Sequence, residues 1–248
     1  PSGHAIPPVP AIDYSKFGPI TTQPLSRIQR ISGPFLHRSW LNIPHVTYQD
    51  EADITELEAF RKSLSDDPDT NNTRITPLAF FVKALCKGLR KFPVFNASLT
   101  PDGQSLVFKQ YTHIGVAVDT PNGLVVPVIR DADGKGLLEL AQALSEVSAR
   151  ARRGKLKPDD LKGGSMTISS LGGIGGTGFT PIVNAPEVAI LGIARAKVPP
   201  VWNGHPFEPR LMLPLCLSFD HRVIDGAVAA RFMSYLCGQF KETRKLLL

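Results

Sequence analysis

The stretch from Met212 to Gly226 constrains this chain most. Met212, Leu213, Leu215, Leu217 and Phe219 form an apolar run of strand length between Pro209 and Gly226. The run closes on a charged knot, Asp220-His221-Arg222, and Asp225 follows four residues after His221. From Ala227 to Leu248 the Ala-rich sequence reads as a helix. An imidazole is therefore expected at the end of a buried strand, next to the start of a helix. Histidine is the side chain whose ordinary titration lies near neutrality, so this is where a general base would be set. The spacing alone fits an ordinary hydrogen-bonded histidine as well.

The second informative stretch is Thr167-Ile168-Ser169-Ser170-Leu171-Gly172-Gly173-Ile174-Gly175-Gly176-Thr177. It lacks the Gly-Lys-Ser/Thr ending of a phosphate-binding loop, and the irregular Phe179 to Pro186 follows where a dinucleotide site would open a helix. A hydroxyl at the end of a strand, such as Ser169 or Ser170, can instead donate to a developing oxyanion.

Composition bounds the rest. With 42% hydrophobic and 20% charged residues over 248 positions, the chain suits one large globular domain or two small ones. No apolar run reaches the length of a membrane span. The chain starts at Pro1 without Met and shows no signal-peptide pattern, so it is expected to be a piece of a longer polypeptide. Cys86, Cys216 and Cys237 lie far apart without metal-ligand spacing, which implies buried free thiols in a reducing compartment. The net charge is +6, and its densest run is Arg150 to Lys157. That run reads as a solvated helix end, with contact to a polyanionic cofactor as the alternative. Nothing resembles a nucleic-acid-binding motif.

In chain order, six prolines in residues 1–24 predict an extended linker, with Tyr14 and Phe17 docking on another surface. Leu25 to Leu41 reads as a helix kinked or broken at Gly33-Pro34. His45 to Asp53 is a strand, and a helix from Asp53 runs to about Leu64. Ser65 to Thr73 is a polar loop. Thr76-Pro77 starts a helix with Thr76 as its cap. Strands are expected at Phe95–Leu99, Tyr111–Val118 and Leu124–Ile129, the last two joined through Asn122-Gly123. Leu137 to Arg153 is a helix ended by Gly154. Met166–Leu171, Val188–Ile193 and Leu211–Phe219 are strands. The pattern predicts an α/β two-layer sandwich. His4, His37, His45, His113 and His205 have no Cys or carboxylate at ligand spacing, so they read as structural and no metal site is expected.

Leu217 to Gly226 resembles the active-site signature of the chloramphenicol acetyltransferase-like superfamily, and looks most like the dihydrolipoyl acyltransferases. These form the cores of the 2-oxo acid dehydrogenase complexes. Thr167 to Thr177 resembles the same family, as do Leu36-His-Arg38-Ser-Trp40-Leu-Asn-Ile-Pro44-His45 and His113 to Asp119. Pro181 to Gly192 and Pro200 to Pro214 look like the acetyl-transferring branch.

The resemblance implies a chloramphenicol acetyltransferase-like sandwich with a mixed sheet, in which residues 25–248 are the catalytic domain and 1–24 a linker. It implies acetyl transfer between an S-acetyldihydrolipoyl arm and coenzyme A, in the core of a pyruvate dehydrogenase complex. A succinyl- or branched-chain-acyl transferase, or a non-catalytic scaffold of the same fold, stands as the alternative. His221 would be the base, Ser169 the oxyanion donor, and Asp225 a buried acid paired with Arg30, or with Arg38 in second place. The coenzyme A contacts stay unassigned, and the lipoyl group would sit on a domain absent from this chain. Partners would be two further copies in a trimer with interfacial active sites, a core of 24 subunits, and the lipoyl domain. The decarboxylase and dihydrolipoamide dehydrogenase subunits would join through other domains. The location implied is the bacterial cytoplasm or the mitochondrial matrix. The terminal Leu246, Leu247 and Leu248 look exposed, and are expected to insert into a neighbouring trimer.

Overall fold

The computed structural model describes residues 8–65, 73–202, 204 and 207–246. In order, the elements are α1 (Arg27–Asn42), β1 (His45–Asp53), α2 (Thr55–Ser65), α3 (Pro77–Lys91), β2 (Ala97–Leu99), β3 (Leu106–Phe108), β4 (Ile114–Val116), β5 (Val118–Thr120), β6 (Gly123–Val125), β7 (Val128–Ile129), α4 (Leu137–Arg152), β8 (Met166–Ser170), β9 (Ala189–Ile193), β10 (Pro200–Val201), β11 (Glu208–Pro209), β12 (Met212–Asp220) and α5 (Gly226–Lys241). Six strands form one sheet in the order β1-β12-β9-β8-β4-β7. β4, β8 and β9 run parallel to one another and the remaining pairs are antiparallel. The sheet is mixed, as the sandwich expectation required.

Alternation gives the sheet two unlike faces. On one, Ile168, Leu191, Leu215, Leu217 and Phe219 pack with residues of α2 to α5 in a single core. α3 is buried almost all round, and each of Phe80, Leu85 and Leu89 contributes about 2 kcal/mol by leaving water. Phe232 of α5 stacks on Phe95 at 3.9 Å between ring centres, so Phe232→Ala would cost about 4 kcal/mol. The other face carries small and polar side chains. One register row reads Thr47, Ser218, Ile190, Thr167, Gly115, and the next reads Gln49, Cys216, Gly192, Ser169. Within the chain, the irregular segment from Phe179 to Val188 lies over this face. Phe179 needs the missing side chain of Gly192, since a Cβ there would stand 2.9 Å from its ring.

Several expectations shift. α1 runs unbroken through Pro34. Its Ser26–Gln29 capping box secures the start, and the helix is mostly exposed, so water can satisfy the carbonyl that Pro34 leaves unpaired. Thr76 caps α3 by position, but its side chain makes no cap bond. Pro93 to Asn96 form a 3-10 turn, which shortens the expected strand to β2. The Tyr111–Val118 strand divides into β4 and β5, and its partner into β6 and β7. Pro127 has no N–H for the ladder, so β5 and β6 leave the sheet as a separate hairpin. Its turn holds the expected Asn122-Gly123, with Gly123 at φ +126°.

At the termini, Tyr14 and Phe17 are exposed among the described residues. Leu246, expected to be exposed, is 0% accessible in the core, because the chain turns back over α2 and α3 after α5. Leu247, Leu248, His4, His205 and most of the polar loop lie outside the described residues.

Candidate active site

β12 carries its burial right up to Asp220, which is 3% exposed, and the chain emerges at His221. Backbone bonds hold this emergence. Asp220 N–H donates to the Val188 carbonyl (2.9 Å), His221 N–H to the Pro44 carbonyl (3.1 Å), and Ile224 N–H to the Asp220 carbonyl (3.0 Å). The Asp220 carboxylate folds the turn further. It accepts from Arg222 N–H and Nε–H at 3.0 Å each and from Nη2–H at 2.6 Å. That contact raises the Arg222 pKa. The His221 ring stands free of this lattice. Phe219 approaches it at 5.9 Å between ring centres, and no hydrogen bond to the imidazole occurs among the described residues.

Asp225 does not pair with His221 or with an arginine, and it is exposed, not buried. Its Oδ1 accepts from Val228 N–H at 2.7 Å, which makes it the N-cap of α5. The expected Arg30–Asp225 pair is absent, and geometry explains why. His221 is anchored near the C-terminal end of α1, and Arg30 lies twelve residues back along that helix, roughly 18 Å away. Arg38 is nearer and borders a cavity of about 300 Å³ with Asp220 and Arg222. Its guanidinium lies over the Phe35 ring instead.

Ser169 is half-buried on the small-residue face of β8, with its hydroxyl unpaired among the described residues. Thr167, two residues earlier on the same face, donates to buried Glu187 at 2.9 Å. Ser169 pairs in register with Gly192, and Gly192 with Cys216. It therefore lies two strands across and five residues along from His221, roughly 19 Å at ordinary strand spacings. A single chain does not bring these two residues together. It presents two half-sites.

Ser170 points to the opposite side of β8, into a groove of about 860 Å³. Gly172, Gly173, Val116, Leu144 and Leu213 line it, and Arg74, Arg152, Ser145 and Ser148 add polar groups. An elongated ligand with an apolar stem and phosphates suits such a groove, because guanidinium is the side chain best matched to phosphate. Arg152 belongs to the basic run noted in the sequence, whereas its neighbour Arg150 is occupied by Asp160 at 3.0 Å. Sequence reasoning missed Arg74, the Asp220–Arg222 clamp and the Pro44 carbonyl. The adjacent charges at Asp220 and Arg222 were the available signal for the clamp; nothing in the sequence marks a carbonyl.

The architecture is an α/β sandwich of the chloramphenicol acetyltransferase type, with the His221 imidazole and the Ser169 hydroxyl at opposite ends of its sheet. Chloramphenicol acetyltransferase itself shares the fold at a TM-score of 0.55 and 14% identity, over 87% of this chain and 94% of its own. Residues 17–248 match the 2-oxoacid dehydrogenases acyltransferase (catalytic domain) family, and the chain belongs to it. It is 58% identical over 241 residues to the dihydrolipoyllysine-residue acetyltransferase component of the pyruvate dehydrogenase complex of Cupriavidus necator, covering 97% of this chain and 43% of that protein. The Haemophilus influenzae component is 55% identical over 249 residues, covering 100% of this chain and 44% of that protein. The chain thus spans less than half the length of these curated relatives. Two solved structures, the cubic core of the pyruvate dehydrogenase multienzyme complex and the dihydrolipoamide acetyltransferase of Azotobacter vinelandii, each superpose at a TM-score of 0.95. Each has 53% identity, over 98% of this chain and 100% of theirs. The Azotobacter structure was solved to define the role of a serine, a histidine and an asparagine in the catalytic mechanism. The separations between those three residues equal those between Ser169, His221 and Asp225.

No described helix is long and apolar enough to cross a membrane. Among the described residues, no group of three or more His, Cys, Asp or Glu could hold a metal ion.

Proposed function

We propose that this chain transfers an acetyl group between an S-acetyldihydrolipoyl arm and coenzyme A, at sites built where two copies meet. The observation that carries this reading is the pair of half-sites: His221 and Ser169, neither side chain hydrogen-bonded among the described residues, lie too far apart to serve one another. The matching serine and histidine separations in the Azotobacter enzyme support the assignment of roles. A coenzyme A thiol is mostly protonated at neutral pH. His221 of one copy takes its proton, for a gain of roughly 10²- to 10⁴-fold. The thiolate forms a bond to the S-acetyl carbonyl carbon, and the electron pair moves to the carbonyl oxygen. Ser169 of the adjoining copy donates to that oxyanion, for roughly 10²- to 10³-fold. Collapse breaks the bond to the dihydrolipoyl sulfur, and the imidazolium returns the proton to it. Coenzyme A lies in the groove beside Ser170, its phosphates toward Arg74 and Arg152.

Residues 1–24 are the tail of a linker from domains that carry the lipoyl group and the decarboxylase and dihydrolipoamide dehydrogenase contacts, and 25–248 are the catalytic domain. Three copies form the site-bearing trimer, and trimers assemble into a cubic core of 24 subunits in the bacterial cytoplasm, in line with the cubic core that superposes on this chain.

The test is acyl transfer to free dihydrolipoamide from acetyl-CoA, succinyl-CoA and a branched-chain acyl-CoA. Acetyl-CoA is expected to be favoured by at least tenfold in kcat/KM, about 1.4 kcal/mol of discrimination. Preference for another acyl group would move the chain to a sister complex. No transfer with any of them would make it a scaffold.

A further inference from the structure

His45 has both ring nitrogens engaged. Nδ1 lies 2.8 Å from the Ile43 carbonyl, and Nε2 accepts from Val183 N–H at 3.0 Å. A carbonyl cannot donate and an amide N–H cannot accept, so the proton resides on Nδ1 and the ring is a neutral tautomer with one donor and one acceptor. Trp40 stacks on the ring at 5.5 Å between centres. The two backbone pieces joined by this imidazole are the ones that hold the His221 turn. Ile43 precedes Pro44, whose carbonyl receives His221 N–H, and Val183 opens the segment that ends at Val188, whose carbonyl receives Asp220 N–H. His45 is also the register partner of Asp220. The segment from Val183 to Val188 has a second anchor in Glu187, bound by Thr167 and Asn184.

We propose that His45 is a positioning residue for His221: its imidazole clamps the Pro44 and Val183–Val188 backbones so that the carbonyls fixing Asp220 and His221 keep their separation. This inference rests on the acyl-transfer reading above. His45 touches no reacting atom. It acts by holding the base in register with the oxyanion donor, Ser169, carried on another copy, where an error of about 1 Å can cost on the order of 10²-fold.

The test is steady-state acetyl transfer by His45→Gln, His45→Asn and His45→Ala in the assembled protein, with particle size checked by light scattering. A glutamine places an acceptor near Nε2 and keeps the Val183 bond; an asparagine reaches only as far as Nδ1 and loses it. The expected result is that His45→Gln keeps half or more of the wild-type kcat. His45→Asn and His45→Ala should lose about tenfold in kcat, with KM for coenzyme A within about twofold, because binding in the groove is untouched. If His45→Ala fails to assemble, the glutamine and asparagine variants decide the matter between them. Equal kcat in those two, or a change confined to KM, overturns the proposal. Wild-type protein that transfers no acyl group overturns the acyl-transfer reading instead, so the two failures are distinct.

Discussion

Ser169 and His221 lie on the same chain but at opposite ends of the sheet, two strands and five residues apart. If each serves a different interface, inactive chains should rescue one another. Ser169→Ala and His221→Ala proteins are each expected to lose activity, the first by about 10²-fold in kcat and the second by 10³-fold or more. Unfolding and reassembling them together as a one-to-one mixture should restore about a quarter of wild-type activity, since that fraction of head-to-tail interfaces pairs an intact serine with an intact histidine. A mixture no more active than its parts would place both residues in one site within one chain.

Asp225 is an N-cap, so its charge is expected to matter less than its oxygen. Asp225→Asn should leave stability within about 0.5 kcal/mol, because asparagine caps as well as aspartate. Asp225→Ala should cost about 1 kcal/mol at the start of α5 and loosen the turn that bears His221. Denaturation midpoints and kcat on the two variants check this. An asparagine variant as damaged as the alanine one would mean that the charge has a partner across the interface.

Glu187 is buried with Oε2 unpaired, and burial pushes its pKa up to about 7 against the competing bonds from Thr167 and Asn184. A carboxyl whose folded pKa lies above its ordinary 4.5 binds its proton more tightly in the folded state. Its contribution to stability is complete below pH 4.5 and is lost as pH rises toward 7. Glu187→Gln removes that loss. The variant should be more stable than wild type at pH 8, by up to about 3 kcal/mol, and little different at pH 4.5. Chemical denaturation across pH measures it, and a stability difference that does not change with pH would count against it.

Arg74 and Arg152 flank the groove beside Ser170. Replacing either with glutamine should raise KM for coenzyme A by about fivefold to tenfold with kcat nearly unchanged, since a phosphate contact remote from the thioester is made equally in ground and transition states. The same variants should leave KM for dihydrolipoamide alone. Equal effects on both substrates would place the coenzyme elsewhere.

Much of this architecture was legible in residue order. The apolar run from Met212 to Phe219, the glycine after α4 and the Asn122-Gly123 turn are local rules, read within a few residues, and each holds. So does the placing of His221 at a strand end and Ser169 near the end of another. The local reading failed where a proline inside a predicted strand was passed over and where a distant surface intervened. Pro127 pulled a predicted strand out of the sheet, and a gap over α2 and α3 took in Leu246.

What residue order determined was which chemical groups the chain owns, an imidazole and a hydroxyl each closing a strand. What only the tertiary structure decided was their distance and their neighbours. Asp225 and Arg30 look compatible as opposite charges in the sequence, but one helix of sixteen residues holds Arg30 too far back, and a nearer backbone N–H takes the carboxylate first. The same holds for His45, which carries no motif. Its part emerges only when β1, β12 and an irregular segment more than a hundred residues away meet around one ring, because hydrogen-bond partners are set by position in space and not along the chain.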